Sequence, residues 1–309
     1  MTEYLDGLPA HPSPCAWLTI GNFDGVHLGH QALIQHLRQK AESQKGQSIV
    51  LTFWPHPRVV LGFVDEPFML TTREEKQRLL GKTGVDMVVT LPFDQTLADT
   101  SADDFLESLI TSLNPAGLLV GPQFRLGRHR GADFPTIQRY CEARGVACET
   151  FPPFLFDGET VSSNLIRANL IEGRVEKAAE LLGHPFSLEG EIQHGKQIGR
   201  KLGFPTANLV PDALQLLPRF GVYAARVMVE GQVLMGVTSV GVRPTFEQNA
   251  QPNVETLILD FDDTIYHETM RIEFLRFIRP ELRFERVEDL IAQIRDDEAQ
   301  TRRIFQNGS

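Results

Sequence analysis

The segment AWLTIGNFDGVHLGH, residues 16–30, decides the interpretation of the N-terminal half. Its first five residues form an apolar run typical of a buried strand, and the glycine-rich decapeptide after them leads into a helical pattern. Glycines allow a tight turn and a close approach of the backbone to a ligand. The free N–H groups at the start of the following helix favour an anion. The segment therefore predicts a strand, a phosphate-binding turn and a helix, in that order.

Four further apolar runs follow in the N-terminal half, and amphipathic stretches separate them. The runs are SIVLTF (48–53), DMVVTL (86–91), AGLLVG (116–121) and VACETF (146–151), and the helical patterns cover 28–42, 72–82, 101–113 and 133–144. Five strands alternating with helices predict an α/β fold with a doubly wound, mostly parallel sheet. Ligands of such sheets bind beyond the carboxyl ends of the strands, so we expect chemistry just after each strand.

The pattern of the sequence changes at Gly183-His184-Pro185, from strands that alternate with helices to closely spaced strand-like runs. Two short helical patterns, at 163–172 and 175–183, come before this change. Glycine and proline together interrupt a helix, so this tripeptide is the predicted linker. We therefore predict one domain over residues 1–183 and a second over 184–309.

Five closely spaced strand-like runs follow the linker without helices between them. They are SLEGEIQH (187–194), GVYAARVMVE (221–230), QVLMGVTSVG (232–241), VETLILDF (254–261) and TMRIEFLRFI (269–278). Such runs predict a barrel or a sandwich, and Glu230-Gly231 predicts a tight hairpin turn. A helical pattern from about Val287 to Ile304 ends the chain, and its apolar positions share one face, at Val287, Leu290, Ile291 and Ile294.

Composition excludes several classes of protein. The 309 residues carry a formal net charge of −10, which is not the basic excess of a general nucleic-acid binder, and no apolar run is long enough to span a membrane. We expect neither nucleic acid nor a membrane as a partner. The first residues lack the basic start and apolar stretch of a secretory signal, so we expect a cytoplasmic protein. Cys15, Cys141 and Cys148 predict neither a disulfide framework nor a metal cluster.

Two histidines stand at the start of the first predicted helix. His27 and His30 are three residues apart, so both side chains project from the same side of the first turn. Paired imidazoles there could donate hydrogen bonds to a phosphoryl group that gains charge in a transition state. The alternatives are two surface histidines after a structural turn, or half of a metal site that lacks its other ligands.

The pattern Gly-x-Phe-Asp-x-x-His-x-Gly-His at residues 21–30 resembles the signature of the nucleotidyltransferase superfamily with the H-x-G-H motif. Its members direct attack at the α-phosphate of ATP and release pyrophosphate, without a covalent enzyme intermediate. Three later segments resemble the adenylyltransferase half of the bacterial bifunctional riboflavin kinase/FMN adenylyltransferases, or FAD synthetases. These segments are LTFWPHPR (51–58), VGPQFRLGR (120–128) and SSNLIR (162–167).

This resemblance implies roles for residues of the N-terminal half. Catalysis is expected at His27, His30 and Arg167; contacts to ATP or phosphate at Gly21, Phe23, Asp24, Gly29, Ser162 and Ser163; and contacts to flavin or nucleotide at Gln123, Phe124 and Arg125. Without the resemblance, a capped helix with a solvated arginine would be the better explanation of Ser162, Ser163 and Arg167. A solvated basic loop would explain Arg125 about as well as ligand contact does. The chain departs from the family pattern at Gln123, where Asp or Asn is usual, and at Asn164, where Thr is usual.

The second half opens with GRKLGFPTAN, residues 199–208. Thr206 and Asn208 alternate, so their side chains share one face of an extended segment, and their oxygens suit Mg²⁺. The alternative is an ordinary glycine-rich turn before a strand. The stretch resembles the G-R-x-L-G-F-P-T-A-N motif of riboflavin kinases. Further family segments follow in order: GVYA (221–224), GVRPTF (241–246), ETLILDF (255–261) and RPELRF (279–284).

The kinase resemblance implies a second set of roles. Glu255 is expected to deprotonate the riboflavin 5′-hydroxyl. Contacts to ATP are expected at Gly199, Gly203, Pro205, Thr206 and Asn208; contacts to flavin at Arg279 and Glu281; and Mg²⁺ at Thr206 and Asn208. His267 stands where the family usually has glycine after Tyr266.

Two motifs point elsewhere. LILDFDDT (257–264) matches the D-x-D-x-T signature of haloacid dehalogenase-type phosphatases, with Asp260 and Asp262 as the catalytic pair, although too little chain follows for their α/β core. Gly81-Lys82-Thr83 matches the end of a P-loop, but Lys76 stands where that motif requires glycine. A non-catalytic flavin- or nucleotide-binding protein is the other alternative, suggested by the departures from the family pattern.

The sequence thus predicts a bifunctional transferase. We expect a Rossmann-like, doubly wound nucleotidyltransferase domain, followed by a closed β-barrel riboflavin kinase domain with a terminal helix. The barrel would phosphorylate riboflavin to FMN with ATP, and the first domain would adenylylate FMN to FAD with release of pyrophosphate. Mg²⁺ is the expected cofactor, ATP the co-substrate, and FMN or FAD the product or bound ligand.

Overall fold

The computed structural model describes residues 2–9, 15–64, 67–194, 202–242, 252–263 and 265–307. The chain divides into two compact units, Met1–Ser163 and Asn164–Ser309. The domain boundary at Gly183 stays a prediction. Gly183 itself ends a helix in the left-handed conformation, with φ 76°, as expected of a helix-terminating glycine.

Six strands form the sheet of the first unit. They are β1 (Glu3–Asp6), β2 (Trp17–Ile20), β3 (Ser48–Trp54), β4 (Met87–Pro92), β5 (Gly117–Val120) and β6 (Ala147–Thr150). All pair in parallel, in the order β1-β4-β3-β2-β5-β6. The predicted parallel α/β sheet is confirmed.

Helices cover both faces of this sheet. They are α1 (Leu28–Ser43), α2 (Pro57–Val60), α3 (Arg73–Lys82), α4 (Gln95–Asp99), α5 (Ala102–Leu113) and α6 (Phe134–Glu142); a 3₁₀ turn at Arg128–Arg130 and a hairpin of β7 (Leu155–Phe156) and β8 (Glu159–Thr160) complete the unit. Apolar side chains of α1 and α3 pack in one core, and those of α5 and α6 pack in another. Side-chain caps at Thr72, Ser101 and Asp133 start three of these helices.

Strand β2 lies at the centre of the sheet, where the winding direction reverses. It pairs with β3 on one side and with β5 on the other. In doubly wound sheets this switch point opens a crevice at the carboxyl ends of the two strands. The segments after β2 and after β5 therefore border the expected ligand site.

Strand β1 is a correction to the sequence analysis, which assigns no strand to the N-terminal residues. Glu3 to Asp6 pair in parallel with Met87 to Thr90 at the edge of the sheet. Three of the four β1 residues are exposed, so the strand carries no apolar run that composition could reveal. Its pairing rests on backbone hydrogen bonds.

The second unit contains a closed barrel of antiparallel strands, as predicted. They are β9 (Ser187–Gln193), β10 (Thr206–Pro211), β11 (Gly221–Val229), β12 (Gln232–Val242), β13 (Pro252–Ile258) and β14 (Thr269–Arg279), in the order β10-β13-β12-β11-β14-β9. β9 closes the barrel by pairing with both β10 and β14. β10 adds a strand to the five predicted runs. The predicted hairpin turn is present, with φ 49° at Glu230 and φ 74° at Gly231.

Three helices belong to the C-terminal part of the chain: α7 (Ser163–Ile171), α8 (Val175–Leu182) and the terminal α9 (Val287–Gln306). The predicted apolar face of α9 is only partly used. Ile294 packs against a cluster on the barrel, whereas Val287 is exposed. The buried residues of α9 are instead polar, Asp297 and Thr301.

Candidate active sites

The segment Gly21–His30, here called the histidine loop, connects β2 to the first turn of α1. Its backbone is left-handed at two non-glycine residues, Phe23 (φ 48°) and Val26 (φ 41°). Such conformations cost about 1–3 kcal/mol each and persist only where the surroundings hold them. The histidine loop is therefore a strongly constrained segment at the switch point of the sheet.

Asp24 provides part of that constraint. Its buried carboxylate accepts hydrogen bonds from the Leu70 N–H at 3.0 Å and from the Thr71 N–H at 3.2 Å. Ser163 Oγ donates to the Asp24 carbonyl oxygen at 3.0 Å. Asp24 and Ser163, both predicted phosphate contacts, thus hold the loop in place, and their contacts to a nucleotide stay predictions.

The two histidines come together as the H-x-G-H spacing predicts. His27 caps α1, because its Nδ1 accepts the His30 N–H at 3.3 Å. The imidazole rings stack with centroids 3.6 Å apart, and the Phe23 ring meets His30 edge-on at 5.0 Å. A Cβ at Gly29 would lie 3.2 Å from the His27 ring, which explains the glycine between the two histidines.

His30 is electrically neutral at pH 7. Burial lowers its pKa well below the ordinary value, and the neighbouring His27 and Lys76 lower it further. Its Nδ1 is buried and has no hydrogen-bond partner among the residues that the structure describes. A neutral imidazole with an unused buried nitrogen is suited to a hydrogen bond with a ligand.

Lys76 of α3 is a residue that the sequence analysis missed as part of the site. Its side chain is 2% exposed, and its Nζ donates to the carbonyl oxygens of Phe53 at 2.8 Å and Asn22 at 3.3 Å. Helical spacing places Lys76 on the same face as the buried Leu79 and Leu80. A lysine on the apolar face of an amphipathic helix was the available signal.

The segment after β5 borders the same crevice. The Phe124 N–H donates to the Gly121 carbonyl at 3.1 Å, which forms a turn at the end of the strand. Phe124 packs against the core of the first unit, while Gln123 and Arg125 are exposed. Their contacts to flavin or nucleotide stay predictions.

Arg167 lies on α7, which begins at Ser163, so that Ser162 directly precedes the helix. Arg167 Nη1 donates to Asn164 Oδ1 at 3.0 Å. Asn164, a departure from the family pattern, therefore contacts the predicted catalytic arginine directly. The roles of Ser162 and Arg167 toward ATP stay predictions.

The barrel carries the second site on the outer face of three neighbouring strands. Glu255 of β13 lies directly opposite Asn208 of β10 and Ser239 of β12, so the three side chains share one face. We call them the Glu255 row. Asn253 Nδ2 donates to Glu255 Oε1 at 2.6 Å and orients the carboxylate. Thr206, two residues before Asn208, shares this face, as the alternation predicts.

The predicted flavin contacts of the barrel have different surroundings. Glu281 lies against Gly241 of β12, since a Cβ added there would be 2.0 Å from Glu281 Oε1. Gly241 pairs with Asn253, which is two residues before Glu255 on β13. Glu281 therefore lies beside the Glu255 row. Arg279 instead forms an ion pair with Asp297 of α9, with Nη2 to Oδ2 at 2.7 Å and Nε to Oδ1 at 2.9 Å. The structure thus gives Arg279 a clamping role, and its contact to flavin stays a prediction.

Parts of the kinase motifs lie outside the described residues, namely residues 199–201, which include Gly199, and residues 243–246. Gly203 and Pro205 are described, and both are exposed in the turn before β10. Gly203 has φ 85°, a conformation that favours glycine.

Comparison with known proteins decides the family. The model of the FAD synthetase family matches residues 10–165, and that of the riboflavin kinase family matches residues 182–305. A bifunctional riboflavin kinase/FMN adenylyltransferase of Haemophilus influenzae is 38% identical over 95% of this chain and 94% of its own length. The enzyme of that name from Listeria monocytogenes is 36% identical, with 93% and 92% covered.

The chain belongs to the bifunctional riboflavin kinase/FMN adenylyltransferase family. A crystal structure titled as a macrolide-efflux protein from Streptococcus pneumoniae superposes on this family member with a TM-score of 0.86 at 29% identity. The match covers 97% of this chain and 98% of the other, so the two share their fold throughout. Among the described residues, none of the helices is long and apolar enough to cross a membrane.

In the phosphatase-like motif of this family member, Asp260 does not have the surroundings of a catalytic nucleophile. Asp260 is exposed, and Arg302 binds both of its carboxylate oxygens, at 2.6 and 2.7 Å. Thr264, the last residue of the motif, lies outside the described residues. No finding supports the phosphatase alternative.

Proposed function

We propose that the histidine loop carries the transfer of the adenylyl group of ATP to FMN, and that the Glu255 row carries the transfer of the γ-phosphoryl group of ATP to riboflavin. The main support is positional. The FAD synthetase match covers the histidine loop, and the riboflavin kinase match covers the Glu255 row. Each of the two polar clusters is built from residues of its own unit.

In adenylyl transfer, the protein positions ATP and stabilises charge rather than forming a bond to the nucleotide. Because His27 Nδ1 accepts a backbone N–H, Nε2 carries a ring proton and can donate it to a phosphate oxygen. His30 adds a second ring donor, and Gly21 and Gly29 allow close approach of the backbone. The phosphate of FMN then attacks the α-phosphorus and pyrophosphate leaves.

The family motifs add further residues to this reaction in the proposal. Ser162 and Ser163 present hydroxyls to the triphosphate, and Arg167 binds phosphate oxygens through a bidentate fork. Phe23 holds His30 in place by edge-on contact. Gln123, Phe124 and Arg125, at the end of the neighbouring strand β5, contact the flavin or the nucleotide.

In phosphoryl transfer, Glu255 accepts the proton of the riboflavin 5′-hydroxyl as that oxygen attacks the γ-phosphorus, and ADP leaves with the bridging oxygen. A carboxylate is an adequate base because the hydroxyl becomes acidic only as it attacks, and positioning supplies most of the rate. The hydrogen bond from Asn253 keeps Glu255 oriented. Gly199, Gly203 and Pro205 shape the loop that receives ATP, and Arg279 and Glu281 border the flavin.

Mg²⁺ fits the oxygen donors of the barrel site. Thr206 and Asn208 offer uncharged oxygens, and within the described part of the chain there is no cluster of three His, Cys, Asp or Glu side chains that could hold a metal ion. Mg²⁺ is commonly held by few protein oxygens together with substrate phosphates. When bound, it would offset the negative charge of the triphosphate.

The setting of the reaction is also a proposal. The substrates are riboflavin, FMN and ATP. We place the enzyme in the cytoplasm, where ATP is supplied, with neither nucleic acid nor a membrane as a partner.

Chromatography of flavins tests the proposal. The protein is incubated with riboflavin, ATP and MgCl₂, and we expect an FMN peak followed by an FAD peak. Loss of phosphate from FMN without ATP would favour a phosphatase. Flavin binding without any product would favour the non-catalytic alternative.

A further inference from the structure

Within the described part of the chain, one side chain of α3 donates hydrogen bonds to the carbonyl oxygens of both Asn22 and Phe53. This side chain is Lys76. Asn22 belongs to the histidine loop, and Phe53 is near the end of β3. Thr52 Oγ1 also donates to the Asn22 carbonyl, at 3.2 Å. The ammonium group therefore ties the start of the histidine loop to the neighbouring strand.

The burial of the Lys76 ammonium group carries a desolvation penalty, and this cost indicates a role in the site. Burying an ammonium group is unfavourable, and burial lowers the pKa of Lys76 to about 8. The charged or titratable groups that face it are Asp24, which raises this pKa, Arg73, which lowers it, and His30. The two carbonyl oxygens that accept hydrogen bonds from Lys76 carry no formal charge, so they do not neutralise the ammonium group. The centre of the Trp54 ring lies 5.4 Å from Nζ.

A simple structural role would not require a charge. An uncharged side chain of similar length could fill the space beneath the loop without the desolvation penalty. The positive charge has two effects that such a side chain lacks. It strengthens the two hydrogen bonds to carbonyl oxygens, and it disfavours protonation of His30.

We propose that Lys76 is a positioning residue of adenylyl transfer, which acts through the histidine loop by clamping the Asn22 and Phe53 carbonyls. This inference rests on the proposed function of the histidine loop. It assigns Lys76 no contact to the reacting atoms. Its effect is confined to the formation of FAD and spares the formation of FMN.

The test compares Lys76→Met with Lys82→Met in the full-length protein. Lys82 is an exposed lysine of the same helix, so it is a matched control. We expect Lys76→Met to lower kcat for FMN adenylylation on the order of 100-fold, because a displaced histidine loop misplaces its donors relative to the phosphate. Lys76→Arg, which keeps the charge, should retain more activity than Lys76→Met. Riboflavin phosphorylation and Lys82→Met should show wild-type rates.

A pH profile supplies a readout that depends on the charge. Lys76 loses its proton as the pH rises through about 8, so wild-type adenylylation should decline above that pH. Riboflavin phosphorylation should lack this decline, and so should the residual adenylylation of Lys76→Met. The wild-type profile decides the question even if Lys76→Met does not fold.

Two results would overturn the inference. One is a folded Lys76→Met that forms FAD at the wild-type rate, and the other is a wild-type adenylylation rate that stays flat from pH 7 to pH 9. Both presuppose that the wild type forms FAD. A wild type that forms no FAD would instead refute the proposed function of the histidine loop.

Discussion

The histidine loop and the Glu255 row differ in how their side chains are held. The loop is a strained turn whose polar groups are buried and bonded to the backbone of neighbouring segments, through Asp24 and Lys76. The row comes from the register of adjacent strands, and Glu255 is only half-buried. Register alone places side chains on one face, whereas a loop must be tied down contact by contact.

This difference predicts different responses to substitution. In the histidine loop, the site depends on residues away from the reacting atoms, because they hold the turn. In the Glu255 row, the strands position the side chains, so a substitution should act mainly at its own position. Since each cluster lies in its own unit, damage to one should leave the other reaction intact.

The largest expected effect is at the two histidines. His27→Ala with His30→Ala should reduce FAD formation from FMN on the order of 10⁴-fold, because it removes two donors to the phosphate. FMN formation from riboflavin should be unchanged, as measured by separate initial rates. His36→Ala, on the same helix, is the control. Equal loss of both reactions in a folded double variant would contradict the division into two sites.

A slightly smaller effect is expected for the proposed base of the kinase site. Glu255→Gln should lower riboflavin phosphorylation about 10³-fold, since the amide cannot accept the hydroxyl proton. FAD formation from supplied FMN should stay at the wild-type rate. Glu230→Gln, in the β11–β12 turn, is the matched control. A kinase rate within a few-fold of the wild type would remove Glu255 from its role as base.

Two ion pairs of the second unit, one buried and one exposed, should differ in how much they contribute to its stability. Asp297→Ala leaves Arg279 without its partner and should lower the free energy of unfolding of the second unit by about 3 kcal/mol. Asp260→Ala removes an exposed ion pair with Arg302 and should change neither stability nor either activity. Chemical denaturation measures both variants. A strong loss of phosphate release with Asp260→Ala would instead revive the phosphatase interpretation.

The core architecture follows from the sequence because strong patterns agree with it. The five apolar runs of the first unit match β2 to β6 to within one residue at each end, and the glycine-rich stretch after β2 is the turn into α1. The alternation of Thr206 and Asn208 predicts a shared face, and β10 provides it. The edge strand β1 has no such pattern, because three of its four residues are exposed.

The contacts that hold the sites could not be read from the sequence. Lys76 enters the sequence analysis only as a mismatch to the P-loop motif. Its position on the apolar face of α3 signals burial, but its carbonyl partners are not visible in a linear pattern. The pairing of Asn208 with Glu255 depends on strand register across the barrel. The Arg279–Asp297 ion pair likewise joins residues of β14 and α9 that no motif relates.

The most direct test of two separate sites is a mixing experiment. The His27→Ala/His30→Ala variant is combined with Glu255→Gln in one tube that contains riboflavin, ATP and MgCl₂. Alone, the first variant should stop at FMN and the second should leave riboflavin unchanged. Together, they should form FAD, because FMN released by one reaches the intact site of the other. A mixture of folded variants that forms FMN but no FAD would contradict the account.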